Sequence, residues 1–568
     1  MTELEWWQSA VFYQIYPRSF ADGNGDGIGD LLGIIGRLDY LKDLGIDAIW
    51  LSPHYPSPLS DVGYDISDYM DVAPEYGTLE DFQGFLNGAH QRNMRVILDL
   101  VMNHTSSQHP WFLESRASVN NPKRDWYIWR AGKDGGPPNN WYSGFGGSAW
   151  EYDPQTGQYY YHFFFKEQPD LNWNNPEVKQ AMWDSVRFWL DLGVDGFRLD
   201  AIDTIFEDLQ LTDHPVQQSL IELQAAWLGA GDPKEQQALE EQYQAFFQYQ
   251  TDLPAVQGLM RELRAVTNQY PGRILVGETD RVCYYGDGSD QLHMVFNFPL
   301  MNTNRLTPAW VRHNQQERLS ELPSKAWPCN TLGNHDAPRV LSRFSDGRPA
   351  AAITRLCMAL MLTLRGTPFL YNGEEIGMTD LLLEDIHQFH DNLGIWVYNA
   401  AIQEYSLPPA EAIQWANRLG RDKCRTPLQW ANAPNAGFSP AGVAPWLPVN
   451  PNFAQGINVA DQTDDPSSLL SFYRRMLRLR KSTPALIAGD YIPVHETAAD
   501  YLAFLRKSSA QTCLVVLNMS ENPHKLHFDR MSQAARCLFS TIDGRESQVS
   551  NLSQFELAPF EVYIGELV

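Results

Sequence analysis

Gly196-Phe197-Arg198-Leu199-Asp200 is the stretch whose reading decides the fold. In a β-strand, residues two apart share a face, so Arg198 and Asp200 point together while Phe197 and Leu199 turn the other way. A guanidinium beside a carboxylate orients it and favours its ionised form. Two other stretches share this design: Arg273-Ile-Leu-Val-Gly-Glu278 and Gly333-Asn-His-Asp336 each follow or close a short apolar run and end in an acid. Glu278 ends a run typical of a buried strand, a setting suited to a carboxyl that must hold its proton near neutral pH. From Val11 to about residue 375, short β-rich runs alternate with amphipathic stretches, as in βα units with a parallel sheet. The expected strands are 12 to 16, 48 to 52, 96 to 100, 196 to 200, 274 to 278, 294 to 298, 330 to 333 and 367 to 372. Eight such strands predict a (β/α)8 TIM barrel, in which chemistry sits at the C-terminal strand ends. Asp99, Asp200, Glu278 and Asp336 all fall there. Two carboxylates can divide the roles of nucleophile and proton donor at a sugar acetal, and a third can bind the substrate as charge develops.

The chain has 568 residues, more than one core supports, and its formal net charge of -26 argues against nucleic acid and anionic membranes as partners. The N-terminal Met-Thr-Glu-Leu-Glu-Trp-Trp lacks a basic region followed by an apolar one, and no later run reaches membrane-spanning length, which predicts a cytoplasmic protein. Cys283, Cys329, Cys357, Cys424, Cys513 and Cys537 have neither metal-ligand nor disulfide-scaffold spacing, so reduced thiols are expected.

Residues 1–104 and 176–485 are assigned to the barrel. The intervening 105–175, rich in Trp, Tyr, Asn and Gly, is too long for an ordinary βα loop and is read as an inserted subdomain over the barrel mouth. A second excursion, about 206 to 252, contains Gln-rich helical sequence beginning at Pro233. The tail, 490–568, alternates strand-like runs such as Tyr501-Leu-Ala-Phe-Leu and Thr512-Cys-Leu-Val-Val-Leu, and is assigned to a C-terminal antiparallel β-sandwich domain.

Asp22-Gly-Asn24-Gly-Asp26-Gly27-Ile28-Gly-Asp30 places side-chain oxygens at the first, third, fifth and ninth positions of a calcium-type loop. Gly27 sits at the sharp turn and Ile28 offers its carbonyl. The usual twelfth-position Glu is replaced by Gly33. One structural Ca²⁺ or Mg²⁺ is expected there, away from the chemistry, and no dinucleotide or zinc pattern accompanies it.

The ordered motifs Asp99-Leu-Val-Met-Asn-His104, Gln168-Pro-Asp-Leu-Asn172, Gly196-Phe-Arg-Leu-Asp200, Gly277-Glu278 and Asn334-His-Asp336, with Val11-Phe-Tyr-Gln-Ile-Tyr-Pro17 before them, resemble the α-amylase family, glycoside hydrolase family 13. Within it, the resemblance is to the oligo-1,6-glucosidase and α-glucosidase group. It implies Asp200 as nucleophile, Glu278 as general acid and base, and Asp336 as the carboxylate that clamps sugar hydroxyls. It further implies sugar contacts by His104 and His335, a hold on the nonreducing glucose by Asp61 and Tyr64, and a pocket wall of Phe145, Phe164 and Gln168. In Arg421-Asp-Lys-Cys-Arg425, Arg421 would reach the terminal glucose and Arg425 would lie near the aglycone. This chain carries Lys423-Cys424 where the family commonly has Asn-Ala or Asn-Ser. Ala201, directly after the nucleophile, occupies the position at which Val tends to accompany α-1,6 activity and smaller residues α-1,4 activity.

These readings predict a retaining α-glucosidase acting on short α-glucosides with the α-1,4 linkage favoured, without an organic cofactor, its two catalytic carboxyl groups roughly 5 to 5.5 Å apart. The alternative is a glucosyl transferase, or a sucrose- or trehalose-type isomerase or hydrolase, on the same scaffold. A non-catalytic, partner-binding relative is the remote alternative. Such relatives carry a membrane span and lack catalytic residues, unlike this chain. No feature of the sequence sets an oligomeric state.

Overall fold

The computed structural model describes residues 4–218, 220, 222–223, 226, 233–303, 305–528 and 534–568. Eight parallel strands form one sheet: β1 (Phe12–Ile15), β2 (Ala48–Leu51), β3 (Arg95–Val101), β4 (Gly196–Asp200), β5 (Ile274–Gly277), β6 (Met294–Val295), β7 (Cys329–Thr331) and β8 (Thr367–Tyr371). They lie in the order β7-β8-β1-β2-β3-β4-β5-β6, and a parallel bridge between Phe296 and Cys329 joins the two edges into a barrel. This is the expected fold class. Each strand is short because its neighbours and the surrounding helices bury both faces. Phe12, Trp50, Ile97, Val276, Met294, Phe296 and Phe369 fill the barrel, with Phe12 and Phe369 stacked at 4.4 Å between ring centres. Tyr13, Leu98, Phe197 and Leu199 face outward into the layer beneath the helices.

Helices at Leu79–Gln91, Pro176–Leu192, Ala255–Thr267, Pro308–Glu321 and Ala350–Thr363 cover the strands. Local chemistry sets their ends. Thr78 and Asp81 make a reciprocal capping box, and Pro176 follows the Asn175 cap. Gly193, at φ 107°, ends the helix before β4 in a conformation that a side chain would strain.

Strands Trp129–Arg130, Trp150–Asp153 and Gln158–Tyr161 form a small antiparallel sheet after β3. The excursion after β4 packs on it: Phe246 and Phe247, at the end of helix Pro233–Phe247, share one apolar cluster with Trp141, Trp150, Tyr161 and Phe163. The two insertions thus have a common core. Part of the excursion between 219 and 232 lies outside the described residues. Beyond the barrel, six antiparallel strands and a two-stranded sheet form the C-terminal region, and they include the expected Tyr501–Lys507 and Thr512–Asn518. Among the described residues no helix is long and apolar enough to cross a membrane.

Candidate active site

The inward alternation of β4 delivers Arg198 and Asp200 to the barrel axis. Arg198 is 1 % exposed, and its guanidinium organises three acids. Nη1 donates to Asp99 Oδ1 at 2.5 Å and to Asp200 Oδ1 at 2.6 Å, and Nη2 meets Glu278 Oε1 at 2.6 Å. Asp99 and Arg198 are direct partners in the β3–β4 register, so the sheet itself fixes this geometry. Trp50 Nε1 and Tyr64 Oη also donate to Asp99 Oδ2. The Ala201 amide donates to Glu278 Oε2 at 2.8 Å. Asp200 and Glu278 therefore lie side by side on neighbouring nitrogens of one guanidinium.

Three carboxyl groups share that single cation. Burial and the Glu278 charge push Asp200 well above the ordinary carboxylate range, and Arg198 only partly offsets them. Burial likewise raises Asp99 to about 6 against the pull of Arg198. The sequence reading that Arg198 keeps Asp200 ionised therefore misses the larger effects, which are desolvation and like charge. Burial and like charge thus draw Asp200 and Asp99 toward their protonated forms.

Asp336 faces them with the opposite balance. Burial would raise its carboxyl, but the Arg425 and Arg421 guanidiniums outweigh it and hold Asp336 far below its usual range. Arg425 Nη2 donates to Asp336 Oδ1 at 2.5 Å, and Arg421 Nη1 lies 3.6 Å from the same oxygen. Burial lowers His335 well below its usual value, so the ring is neutral. Gln14 Nε2 lies 2.7 Å from Nδ1, which places the ring proton on Nε2, toward Tyr64 Oη at 2.6 Å and Asp336 Oδ2 at 3.2 Å.

The far end of the pocket is an interlocked polar set. Arg421 Nη2 donates to Asp61 Oδ1 at 2.6 Å while Nε and Nη2 grip both oxygens of Asp391. Gln168 Nε2 donates to Asp61 Oδ2 at 3.1 Å and lies 2.8 Å from His104 Nε2. Burial, only partly offset by Arg421, pushes Asp61 up to about 6, and burial takes His104 down to about 3. Phe145 packs against Phe164, which meets His104 edge-on at 5.2 Å, and the Arg421 guanidinium lies over the Phe145 ring.

The structure thus joins Asp61, Tyr64, His104, Phe145, Phe164, Gln168, Arg198, Asp200, Ala201, Glu278, His335, Asp336, Arg421 and Arg425 into one constellation. Arg425 is fully buried: its Nε donates to the His335 carbonyl, its Nη2 donates to Asp336, and its guanidinium lies over the Tyr16 ring, so it positions the clamp. The Lys423-Cys424 departure is absorbed structurally. Lys423 Nζ donates to the carbonyls of Asn417, Arg418 and Gly420 at the end of helix Pro409–Leu419, and Cys424 Sγ donates to the His335 carbonyl. Asp391 escaped the sequence reading, because only the fold brings it to Arg421.

The loop from Asp22 to Asp30 lies outside this constellation. Asp22 accepts from the amides of Gly25, Asp26 and Gly27, and Asp26 accepts from Asn24 Nδ2 and the Ile28 amide. Gly27 takes φ +94°, as the sharp turn requires. Asp30 bonds the amides of Gly23 and Asn24 and caps helix Leu31–Ile35 through Gly33. The oxygen-only donor set is the type a hard divalent cation takes, but here its carboxylates accept from backbone amides, and among the described residues no three acidic, His or Cys side chains converge as a metal cluster.

The α-amylase catalytic-domain signature matches residues 14–489. The chain belongs to the α-amylase family. The whole chain is 39% identical over 585 residues to an oligo-1,6-glucosidase of Parageobacillus thermoglucosidasius, covering 100% of this chain and 99% of that protein. It is 42% identical over 530 residues to a probable α-glucosidase of Rhizobium meliloti, covering 91% and 90%. Among solved structures, the α-amylase-family trehalulose synthase of Pseudomonas mesoacidophila MX-45 superposes with a TM-score of 0.88 at 37% identity, over 99% of this chain and 100% of that one.

Proposed function

We propose that this chain is a retaining α-glucosidase that releases the nonreducing terminal glucosyl unit of short α-glucosides, with α-1,4 favoured over α-1,6. The observation that carries the reading is Arg198 holding Asp200 and Glu278 side by side, opposite an Asp336 fixed as an anion. Asp200 attacks the anomeric carbon while Glu278 gives its proton to the departing oxygen, forming a glucosyl ester and a free sugar. Glu278 then takes a proton from water, whose oxygen displaces Asp200 with a second inversion. Asp336 binds sugar hydroxyls and favours the positive charge at the transition state. The Asp61–Arg421–Asp391 network and Gln168 make the far end blind, which supports removal of one terminal unit over attack within a chain.

The α-1,4 preference rests on Ala201, which lacks the γ-methyls of Val beside the scissile bond. A second reading, transfer of the glucosyl group to another sugar, is favoured by the similarity to a trehalulose synthase. It uses the same ester and differs only in the acceptor. The Asp22–Asp30 loop is proposed to hold one Ca²⁺ or Mg²⁺ through Asp22, Asn24, Asp26, the Ile28 carbonyl and Asp30, with a structural role. Six cysteines without a disulfide, five of them buried, support a cytoplasmic location.

The test is turnover of maltose and of an aryl α-glucoside by Asp200→Asn and Glu278→Gln. Asp200→Asn is expected to be inactive on both. Glu278→Gln should also be severely impaired, but least so on the aryl substrate, whose leaving group needs little protonation. Maltose hydrolysis at the wild-type rate by a folded Asp200→Asn protein would overturn the nucleophile assignment.

A further inference from the structure

Two helices, Asn392–Gln403 and Pro409–Leu419, form a hairpin that leaves the barrel after β8 and returns to it, and both of its ends lie in the site described above. Asp391 caps the first helix, its Oδ1 accepting from the Leu393 amide, and Arg421 follows two residues after the second. The Arg421 amide and Nε both donate to Asp391 Oδ2, at 2.8 and 3.0 Å, so the pair that grips the far end of the pocket also closes the base of the hairpin. Gly420 packs so tightly there that a Cβ on it would lie 3.0 Å from the Gly394 Cα. Asn392 Nδ2 donates to the Ser60 carbonyl at 2.6 Å, which ties the same base to the segment that carries Asp61.

Two further side chains hold this piece from either side. Lys423, 8% exposed, folds back so that Nζ donates to the carbonyls of Asn417, Gly420 and Arg418 at 2.6, 2.7 and 3.0 Å. A helix end leaves such acceptors open, and a cation there also meets the negative end of the helix dipole. With its three donors used, Lys423 has none left for a substrate. It fastens the turn that carries Arg421 to the end of the helix. On the other side, Trp396 presses on the loop 143–148: a Cβ at Gly146, where φ is +102°, would lie 2.3 Å from the Trp396 ring. Its neighbour Phe145 lies under the Arg421 guanidinium, 5.5 Å from ring centre to guanidinium carbon. We propose that Lys423 and Trp396 are positioning residues for the terminal glucose. The hairpin is a clamp that sets the Arg421 guanidinium between Asp61 and Asp391, with Lys423 holding its backbone and Trp396 holding Phe145 against its face. The inference rests on the α-glucosidase reading and gives a role to two residues which that reading leaves without one. Because the clamp acts on the sugar ring away from the bond that breaks, its contacts count equally in the ground state and the transition state. Loss of such binding raises KM and spares kcat.

The experiment measures kcat and KM of Lys423→Met, Lys423→Arg and Trp396→Ala on maltose and on an aryl α-glucoside. A cavity of about 840 Å³ lies against Lys423 on the side away from the barrel axis, so water is able to replace the ammonium at the carbonyls and Lys423→Met is expected to fold. Both substrates present the same terminal glucose. Lys423→Met should therefore raise KM about tenfold on each, with kcat held within about twofold, and Trp396→Ala should raise KM in the same direction. Lys423→Arg should return KM toward the wild-type value, since a guanidinium still donates to the same carbonyls. An unchanged KM in Lys423→Met or Trp396→Ala, or a loss confined to kcat or to Tm, would overturn the inference. A second arm does not depend on turnover. In the crystal structure of Lys423→Met the contact between Arg421 Nη2 and Asp61 Oδ1, 2.6 Å in the wild type, should be broken, and its retention would count against the clamp. Wild-type protein inert toward both α-glucosides would defeat the activity reading alone, while the crystallographic arm still decides the clamp.

Discussion

Arg198 shows how much one side chain can carry. Three carboxyl groups converge on it, Asp99 fully buried, Asp200 largely so and Glu278 partly exposed, so its removal leaves crowded acids with no cation. Breaking such a buried cluster typically costs about 3 to 5 kcal/mol. Arg198→Met is therefore expected to lower the denaturant midpoint strongly at pH 7 and to regain part of the loss near pH 5, where protonation relieves the acids. Denaturant titrations at both pH values check this. Asp61 gives a subtler case. Its folded carboxyl is raised from 3.8 to about 6, so its contribution to stability is full below 3.8 and is lost as pH rises through about 6. Asp61→Asn should thus gain in Tm relative to the wild type as pH rises from about 4 to about 6, while its kcat/KM falls steeply because the hold on the terminal glucose is gone. Asp336 and Asp391 behave oppositely. Both are depressed, Asp391 to about 2 because Arg421 outweighs burial, so their contribution is lost only in strong acid. Asp200 and Glu278 were legible in the sequence because strand ends in a barrel meet at one place. Asp391 and the buried station of Arg425 were not, because loop residues far apart in sequence acquire neighbours only through tertiary packing.

At the scale of elements, the turn after β4 is the sensitive point. Ala201 adopts φ 41° and ψ 45°, a left-handed conformation that directs its N–H at Glu278. A β-branched residue is poorly tolerated there, at a cost of about 1 to 2 kcal/mol. Ala201→Val should therefore do two things: lower Tm by a few degrees and shift the ratio of kcat/KM for maltose over isomaltose toward isomaltose, by about tenfold or more. Unchanged ratios in a folded variant would move the origin of linkage preference to the excursion after β4. In the Asp22–Asp30 loop, a cation bound only by the folded chain stabilises it by mass action. Chelation is expected to lower Tm more than it lowers turnover, and Asp22→Ala should abolish that sensitivity; thermal melts with and without chelator decide it. Most of the barrel strands could be read from an apolar run, since both faces are buried, whereas β4 alternates Phe197 and Leu199 with Arg198 and Asp200, and β7, Cys329-Asn330-Thr331, carries little apolar signal. The shared core of the two insertions could not, because Trp141, Tyr161 and Phe247 look like ordinary core aromatics until the fold brings them together.

Across the whole molecule, two buried guanidiniums tie later elements to the barrel: Arg506 from the C-terminal strand Tyr501–Lys507 and Arg480 from helix Leu469–Ser482. Arg506 donates to the carbonyls of Thr363, Leu364, Ile487 and Gly489, and Arg480 donates to those of Leu362, Gly366 and Leu486. Burial pushes both below the usual arginine range, Arg480 to about 10. Their partners are carbonyls at the ends of helices Ala350–Thr363 and Pro484–Ala488, where the last turn of a helix leaves acceptors without intrahelical donors. Arg506→Met should separate one calorimetric transition into two, with the C-terminal strands melting first. The same contact has a consequence during synthesis. The carbonyls at the end of helix Ala350–Thr363 leave the ribosome more than a hundred residues before Arg506, about 7 to 30 seconds earlier at common elongation rates. Throughout that interval the nascent barrel holds an open, hydrogen-bond-hungry seam next to its last strand, and it is there that a chaperone or a slowed codon would matter most.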